Sequence, residues 1–281
     1  MQEPLVSSTG FAVDHVALTV NDAEKVAAFY LKAVGLDVLA HDGEVMHLGV
    51  GDTTLLELRQ DKHARHRSSR EAGLFHTAFL LPSRPALARW INYAIDQTLP
   101  VAGASDHDVS EALYLSDPEG NGVEIYADRP ESTWVWKDGT VRMGTAPLDI
   151  PGLLQQAQGA RWEGAPSGTR VGHVHLQVGA IEPAEDFYAQ ELGLDITCRY
   201  PGGTFYSADG YHHHIATNIW NSRGAGARNF PSTGLAEVVL SNSRPLIKGS
   251  MSGSLQNLSA NDMKIEDPWG TPIRLRTRKT P

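Results

Sequence analysis

At 281 residues with 41% hydrophobic side chains, the chain is long enough for about two domains with real cores, which excludes disorder as its main state. A formal net charge of −9 and the lack of any long basic stripe exclude a nucleic-acid partner, whose phosphates require clustered cations. The single cysteine, Cys198, excludes an intrachain disulfide framework and suits a reducing compartment. No apolar run approaches the ~20 residues that cross a bilayer. The Met-Gln-Glu-Pro start lacks the basic and apolar regions of a signal peptide, so a cytoplasmic protein with no membrane partner is expected.

In chain order, the first strand is predicted at 15–20, where Val16, Leu18 and Val20 alternate with His15, Ala17 and Thr19. Asn21 or Asp22 caps a helix that places Val26, Phe29, Tyr30 and Ala33 on one face, and Gly35 ends it. Strands follow at 44–50 and 53–58. The basic run Lys62 to Arg70 reads as a solvated loop. A second, weaker copy begins at Gly73-Leu74-Phe75-His76, passes through a helix near 86–97, and closes on a hairpin from His107 to Glu124 around the turn Asp117-Pro118-Glu119-Gly120.

After a connecting segment at 129–168, with Trp134, Trp136 and a short helix predicted at 148–158, the pattern repeats at an offset of 158 residues. His15, Phe29-Tyr30 and Gly35-Leu36-Asp37 recur as His173, Phe187-Tyr188 and Gly193-Leu194-Asp195. A fourth copy starts at Gly234-Leu235-Ala236-Glu237 and ends at Asp267-Pro268-Trp269-Gly270-Thr271-Pro272-Ile273-Arg274. The expected fold is therefore α+β, built of four tandem strand-helix-strand-strand-strand modules in two halves, each half a cup. The expected domains are 1–128 with the site, 129–168 as linker, and 169–281 as a degenerate copy.

His15, His76 and Glu124 fall at equivalent places in the repeat, and two histidines with one carboxylate are a set that holds a divalent iron with open positions. A lone histidine on a strand is commonly structural; recurrence is what singles these out. The hairpin carries more: His107, Leu113, Tyr114, Asp117-Pro118-Glu119-Gly120 and Glu124 match in order and spacing the signature of the type I extradiol ring-cleaving dioxygenases, within the vicinal oxygen chelate superfamily. Ser105 departs from that signature. The phrases Gly73-Leu74-Phe75-His76, Gly172-His173-Val174-His175 and Gly210-Tyr211-His212-His213-His214 resemble the catechol 2,3-dioxygenase-like and hydroquinone-cleaving branch.

The resemblance implies that His15, His76 and Glu124 bind Fe(II), or less commonly Mn(II), and that His107 and Tyr114 contact a catechol- or hydroquinone-type diol whose ring is opened by O2. It also implies an acid-base histidine near Thr53 to Leu55, where none stands, whereas His212, His213 and His214 lie near the corresponding place in the second half. There Glu237, Lys264 and Arg274 replace His76, Tyr114 and Glu124, so no standard metal site is expected in that half. Glu57 opens an alternative of the glyoxalase type, an isomerase using His15, Glu57, His76 and Glu124. Tandem modules of this shape also serve as aromatic-compound or drug-binding proteins without catalysis. Open sheet edges and linker tryptophans leave room for a homo-oligomer.

Overall fold

The computed structural model describes residues 10–157, 159–243, 256–257, 259 and 261–277. Four modules follow one another. The first holds β1 (Ala12–Val20), α1 (Ala23–Ala33), β2 (Asp37–Asp42), β3 (Val45–Val50) and β4 (Thr53–Gln60); the second holds β5 (Gly73–Leu80), α2 (Arg84–Asp96), β6 (Gly103–Asp106), β7 (Ser110–Ser116) and β8 (Gly122–Asp128). The connecting segment forms a small hairpin, β9 (Trp136–Lys137) and β10 (Thr140–Val141), and a short helix α3 (Ile150–Leu154). This helix lies inside the span expected, whose last residue, Gln158, is outside the described residues.

The third module holds β11 (Arg170–Gln177), α4 (Ile181–Glu185, continued by a π-turn Asp186–Glu191), β12 (Asp195–Tyr200), β13 (Gly203–Ser207) and β14 (Ile215–Asn218). The fourth holds β15 (Gly234–Asn242), β16 (Gln256–Asn257), β17 (Asp262–Glu266) and β18 (Pro272–Thr277). Local reasons for these elements are those read from the chain. Val16, Leu18 and Val20 are fully buried, the Asp22 side chain accepts from Lys25 N to cap α1, and Gly35 takes φ +80° after it. One core gathers the apolar strand faces and the helices, with Tyr30, Trp90, Tyr188 and Tyr206 fully buried in it.

The pairing of modules differs from the expected one. One eight-stranded sheet has the order β16-β17-β18-β15-β1-β4-β3-β2 and the other β12-β13-β14-β11-β5-β8-β7-β6. Each sheet thus takes one module from each half: β1 pairs antiparallel with β15, and β5 antiparallel with β11. The expectation that each half closes its own cup is corrected here. The crossover is made by the connectors 61–72 and 219–233, and the basic run lies in the first of them. It is not a freely solvated loop: Arg65 pairs with Glu71 at 2.9 Å, and Arg67 donates to Leu74 O at 2.6 Å and to Gly120 O at 2.9 Å. Arg228 in the other connector donates likewise to Leu235 O at 2.6 Å.

Candidate metal centre and active site

The crossed pairing decides which side chains meet. In the second sheet, β8, β5 and β11 are adjacent, with Glu124 opposite Ala78 on β5 and His173 opposite the same Ala78 from the other side. A bulge at Gly172 precedes His173. Gly172 is required there, because a Cβ would stand 1.8 Å from the Tyr126 hydroxyl. His76, Glu124 and His173 are the group of described residues whose ligand atoms all lie within 4.8 Å of one another. Nε2 of His76 is 2.9 Å, and Nε2 of His173 3.3 Å, from Oε2 of Glu124.

All three side chains are buried. Despite its proximity to the carboxylate, His76 Nε2 makes no hydrogen bond, so lone pairs converge where a proton does not join them. Burial pushes His173 down to about 4, against the pull of Glu124, so its imidazole is neutral at pH 7. For Glu124, burial acts to raise its pKa, but His173 and His76 outweigh it and hold the carboxyl well below its usual range. An ionised carboxylate among imidazole nitrogens, one of them orphaned, fits a divalent cation of intermediate softness.

His15 is not brought to this group. It lies on β1 in the other sheet, 3.7 Å from Oε2 of Glu57. Its expected place beside His76 and Glu124 is taken by His173, its own counterpart in the repeat. The four-residue set His15, Glu57, His76 and Glu124 is accordingly divided between two sheets. On the first sheet the positions equivalent to the ligands carry Glu237 and Arg274, joined at 3.1 Å, and Arg59 bridges Glu57 at 2.5 Å and Glu237 at 3.4 Å. That cup is closed by ion pairs among cationic and anionic side chains, and Arg274 stands where a cation's carboxylate would be needed.

A cavity of about 290 Å³ opens beside His76, Glu124 and His173. His107 and Tyr114 stand on its wall as a bonded pair. His107 Nδ1 is 2.7 Å from Gly144 O and its Nε2 2.7 Å from the Tyr114 hydroxyl. A carbonyl only accepts, so Nδ1 carries a proton; with that one proton on the ring, Nε2 accepts from Tyr114. Tyr114 lies opposite Glu124 across β7 and β8, and burial, with the Glu124 charge, pushes its pKa well up, keeping the phenol protonated. The connecting segment thus contributes to the site through Met143, Gly144 and Thr145.

The histidine triplet does not lie on a strand but in the turn that enters β14, and its three rings part ways. His213 lines the cavity, its ring centroid 4.1 Å from that of His173; His212 turns to Asp128, and His214 to Ser207. His175 also lines the cavity. Asn218 Oδ1 accepts from Trp220 N, so its amide nitrogen faces His175 Nε2 at 3.0 Å as donor. His175 is therefore protonated at Nδ1. Phe75, Phe205, Tyr200 and Trp220 complete the apolar end, and no lysine or arginine is among the described lining residues.

A family model described as the glyoxalase/bleomycin resistance protein/dioxygenase superfamily matches residues 12–125. A catechol-2,3-dioxygenase of Bacillus subtilis is 41% identical over 232 residues, 79% of this chain and 80% of the relative. Among solved structures, a candidate dioxygenase from Bacillus subtilis superposes with a TM-score of 0.64 at 14% identity, covering 96% of this chain and 86% of that one. Glyoxalase I from Zea mays does so with a TM-score of 0.55 at 13% identity, covering 95% and 92%. At such identities these two likenesses speak for the fold, with its paired modules and curled sheets. No helix of the described residues is long and apolar enough to cross a membrane.

Proposed function

Since the chain belongs to the glyoxalase/bleomycin resistance protein/dioxygenase superfamily, we propose that it is an extradiol ring-cleaving dioxygenase acting on a catechol- or hydroquinone-type diol. The observation that carries this reading is the convergence of His76, Glu124 and His173 on a cavity that also holds the His107–Tyr114 pair and His213. The name of the 41% identical relative supports the same reaction class. His76, Glu124 and His173 would hold Fe(II), or alternatively Mn(II). The metal, when bound, supplies a centre where a deprotonated diol and O2 are brought together, so no covalent nucleophile on the protein is needed.

The chain's own residues supply the rest. Tyr114, kept as a phenol, donates a hydrogen bond to an oxygen that develops negative charge beside Glu124. That single hydroxyl proton is hydrogen-bonded to His107 Nε2 until the substrate oxygen accepts it, so His107 keeps the hydroxyl in place. His213, on the side of His173, is the ring placed to take a proton from a substrate hydroxyl and return it later. The aromatic walls exclude water and receive the ring. With no lysine or arginine among the described lining residues, a substituent carrying a negative charge finds no counter-ion among them, which favours uncharged diols.

Anaerobic reconstitution with Fe(II), followed by catechol or methylhydroquinone in air, tests the proposal: a yellow ring-opened product with matching oxygen uptake is expected. Turnover of a hemithioacetal with no oxygen consumption would overturn it in favour of an isomerase. Full metal content in Glu124→Ala would overturn the ligand assignment.

A further inference from the structure

His213 does not stand alone. Its Nδ1 is 2.7 Å from Nδ1 of His212, and Nε2 of His212 is 2.9 Å from Oδ1 of Asp128. Asp128 is on β8, four residues beyond Glu124 and on the same face of that strand. The Tyr211 hydroxyl donates to the Asp128 carboxylate at 3.0 Å and lies 3.0 Å from the Tyr126 hydroxyl. Burial keeps both phenols protonated.

These contacts leave few places for the protons. An ionised Asp128 can only accept, so His212 donates from Nε2. With one proton on each ring, His212 has its lone pair on Nδ1, and the 2.7 Å contact is a hydrogen bond when His213 donates from its own Nδ1. The lone pair of His213 is thereby left on Nε2, on a ring that lines the cavity. The same direction satisfies the tyrosines: Tyr126 donates to Tyr211, and Tyr211 to Asp128. His212 is fully buried, with Tyr211 stacked on it at 4.1 Å and Trp134 at 5.1 Å between ring centroids, so its ring has no freedom to turn away.

We propose that Asp128 and His212 are positioning residues that fix the ring orientation and tautomer of His213, so that Nε2 is presented to the cavity as a proton acceptor. The role given to His213 rests on the proposed dioxygenase reading; the tautomer assignment does not. When a substrate hydroxyl is deprotonated there, its O–H bond breaks and an Nε2–H bond forms, and the resulting imidazolium is held by its Nδ1–H to His212, whose own proton faces Asp128. One sheet strand then serves two ends of the site, with Glu124 at the metal position and Asp128 behind the base.

The test begins on the metal-free protein. Long-range 1H–15N spectra with 15N-labelled histidines, assigned through single substitutions, are expected to show His212 as the Nε2–H and His213 as the Nδ1–H tautomer. An Nε2–H tautomer for His213 would overturn the proposal. Two variants then separate positioning from simple packing. His212→Asn places a carbonyl oxygen near the position of the lost Nδ1 and keeps an acceptor for His213, whereas His212→Leu keeps bulk and removes the acceptor.

In the Fe(II)-loaded enzyme, His212→Leu is expected to lower kcat by at least about tenfold, a part of the roughly 10²–10⁴-fold that a positioned acid-base group contributes. The diol KM should stay within about threefold and the iron content unchanged. His212→Asn should recover most of the lost rate. Equal losses in the two variants, or kcat within about threefold of wild type in His212→Leu, would overturn the positioning role. A wild-type enzyme that shows the expected tautomers and cleaves no diol would instead refute the dioxygenase reading while leaving the tautomer assignment standing.

Discussion

His214 allows a sharp test of how the buried histidines shape stability. Its ring is buried against Phe11 at 4.6 Å and Tyr211 at 4.9 Å between centroids, and its Nδ1 lies 3.0 Å from Ser207 Oγ. Burial, reinforced by the charge of Arg170, pushes its pKa down to about 3. In the unfolded chain the same ring titrates near ~6.5. Between those values the unfolded state binds more protons than the folded one, so stability rises with pH and is lost on acidification below about 6.5, levelling off only near 3. At pH 5 the penalty for this one group is about 2 kcal/mol relative to neutral pH, since each unit is worth ~1.4 kcal/mol. His214→Asn keeps a polar partner for Ser207, since an amide can both donate and accept, and removes the titration. Chemical denaturation of the metal-free wild type and His214→Asn at pH 7.5 and pH 5 measures the difference directly. The wild type should lose about 2 kcal/mol more than the variant over that interval. Parallel losses in the two proteins would refute the reasoning and mean that His214 is protonated as easily folded as unfolded.

Three further outcomes follow from the geometry. His173→Ala should lower Fe(II) affinity by more than the 10–100-fold typical of losing an outer partner, while His15→Ala should leave it unchanged, as read by metal titration of the apo protein. Tyr114→Phe should cut kcat by roughly 10²-fold with bound iron retained, because only a hydrogen bond to developing charge is removed. Gly172→Ala should destabilise the fold by about 3 kcal/mol or more in a thermal melt, its Cβ meeting the Tyr126 hydroxyl at 1.8 Å and Leu80 Cβ at 3.0 Å; the double variant with Tyr126→Phe should recover part of the loss.

Much of this architecture is legible in the chain, because repeats repeat their physics. The alternation of Val16, Leu18 and Val20, the cap at Asp22, Gly35 and the hairpin turn at Asp117 to Gly120 are local signals, and local energies decide them. Module pairing is different in kind. The edge of β5 can be covered by β1 or by β11, and the two present nearly the same face, His-Val-Ala-Leu-Thr-Val against His-Val-His-Leu-Gln-Val. Nothing local separates a cup closed within one half from a cup closed across both, and the choice falls to the long connectors that carry Arg67 and Arg228. The sequence pattern therefore groups His15 with His76 and Glu124, where the structure brings His173.

The signal that separates them was present, but in the chemistry and not in the strands. A site that moves a proton needs an acid-base group as well as ligands. The end of the first module, Thr53 to Leu55, offers none, whereas the third module enters β14 through His212 and His213. The fourth module carries Arg274 where a ligand carboxylate belongs, and that disfavours any cation in whichever cup it joins. The second and third modules together possess a carboxylate, first-strand histidines and, at the entry to the last strand of the third, a histidine beside them. A cup that must hold a complete set of chemical roles favours pairing those two modules, whatever the strand register. The Asp128–His212–His213 chain shows why the requirement extends past the cavity wall: its members come from both halves of the sequence and meet only when the modules cross.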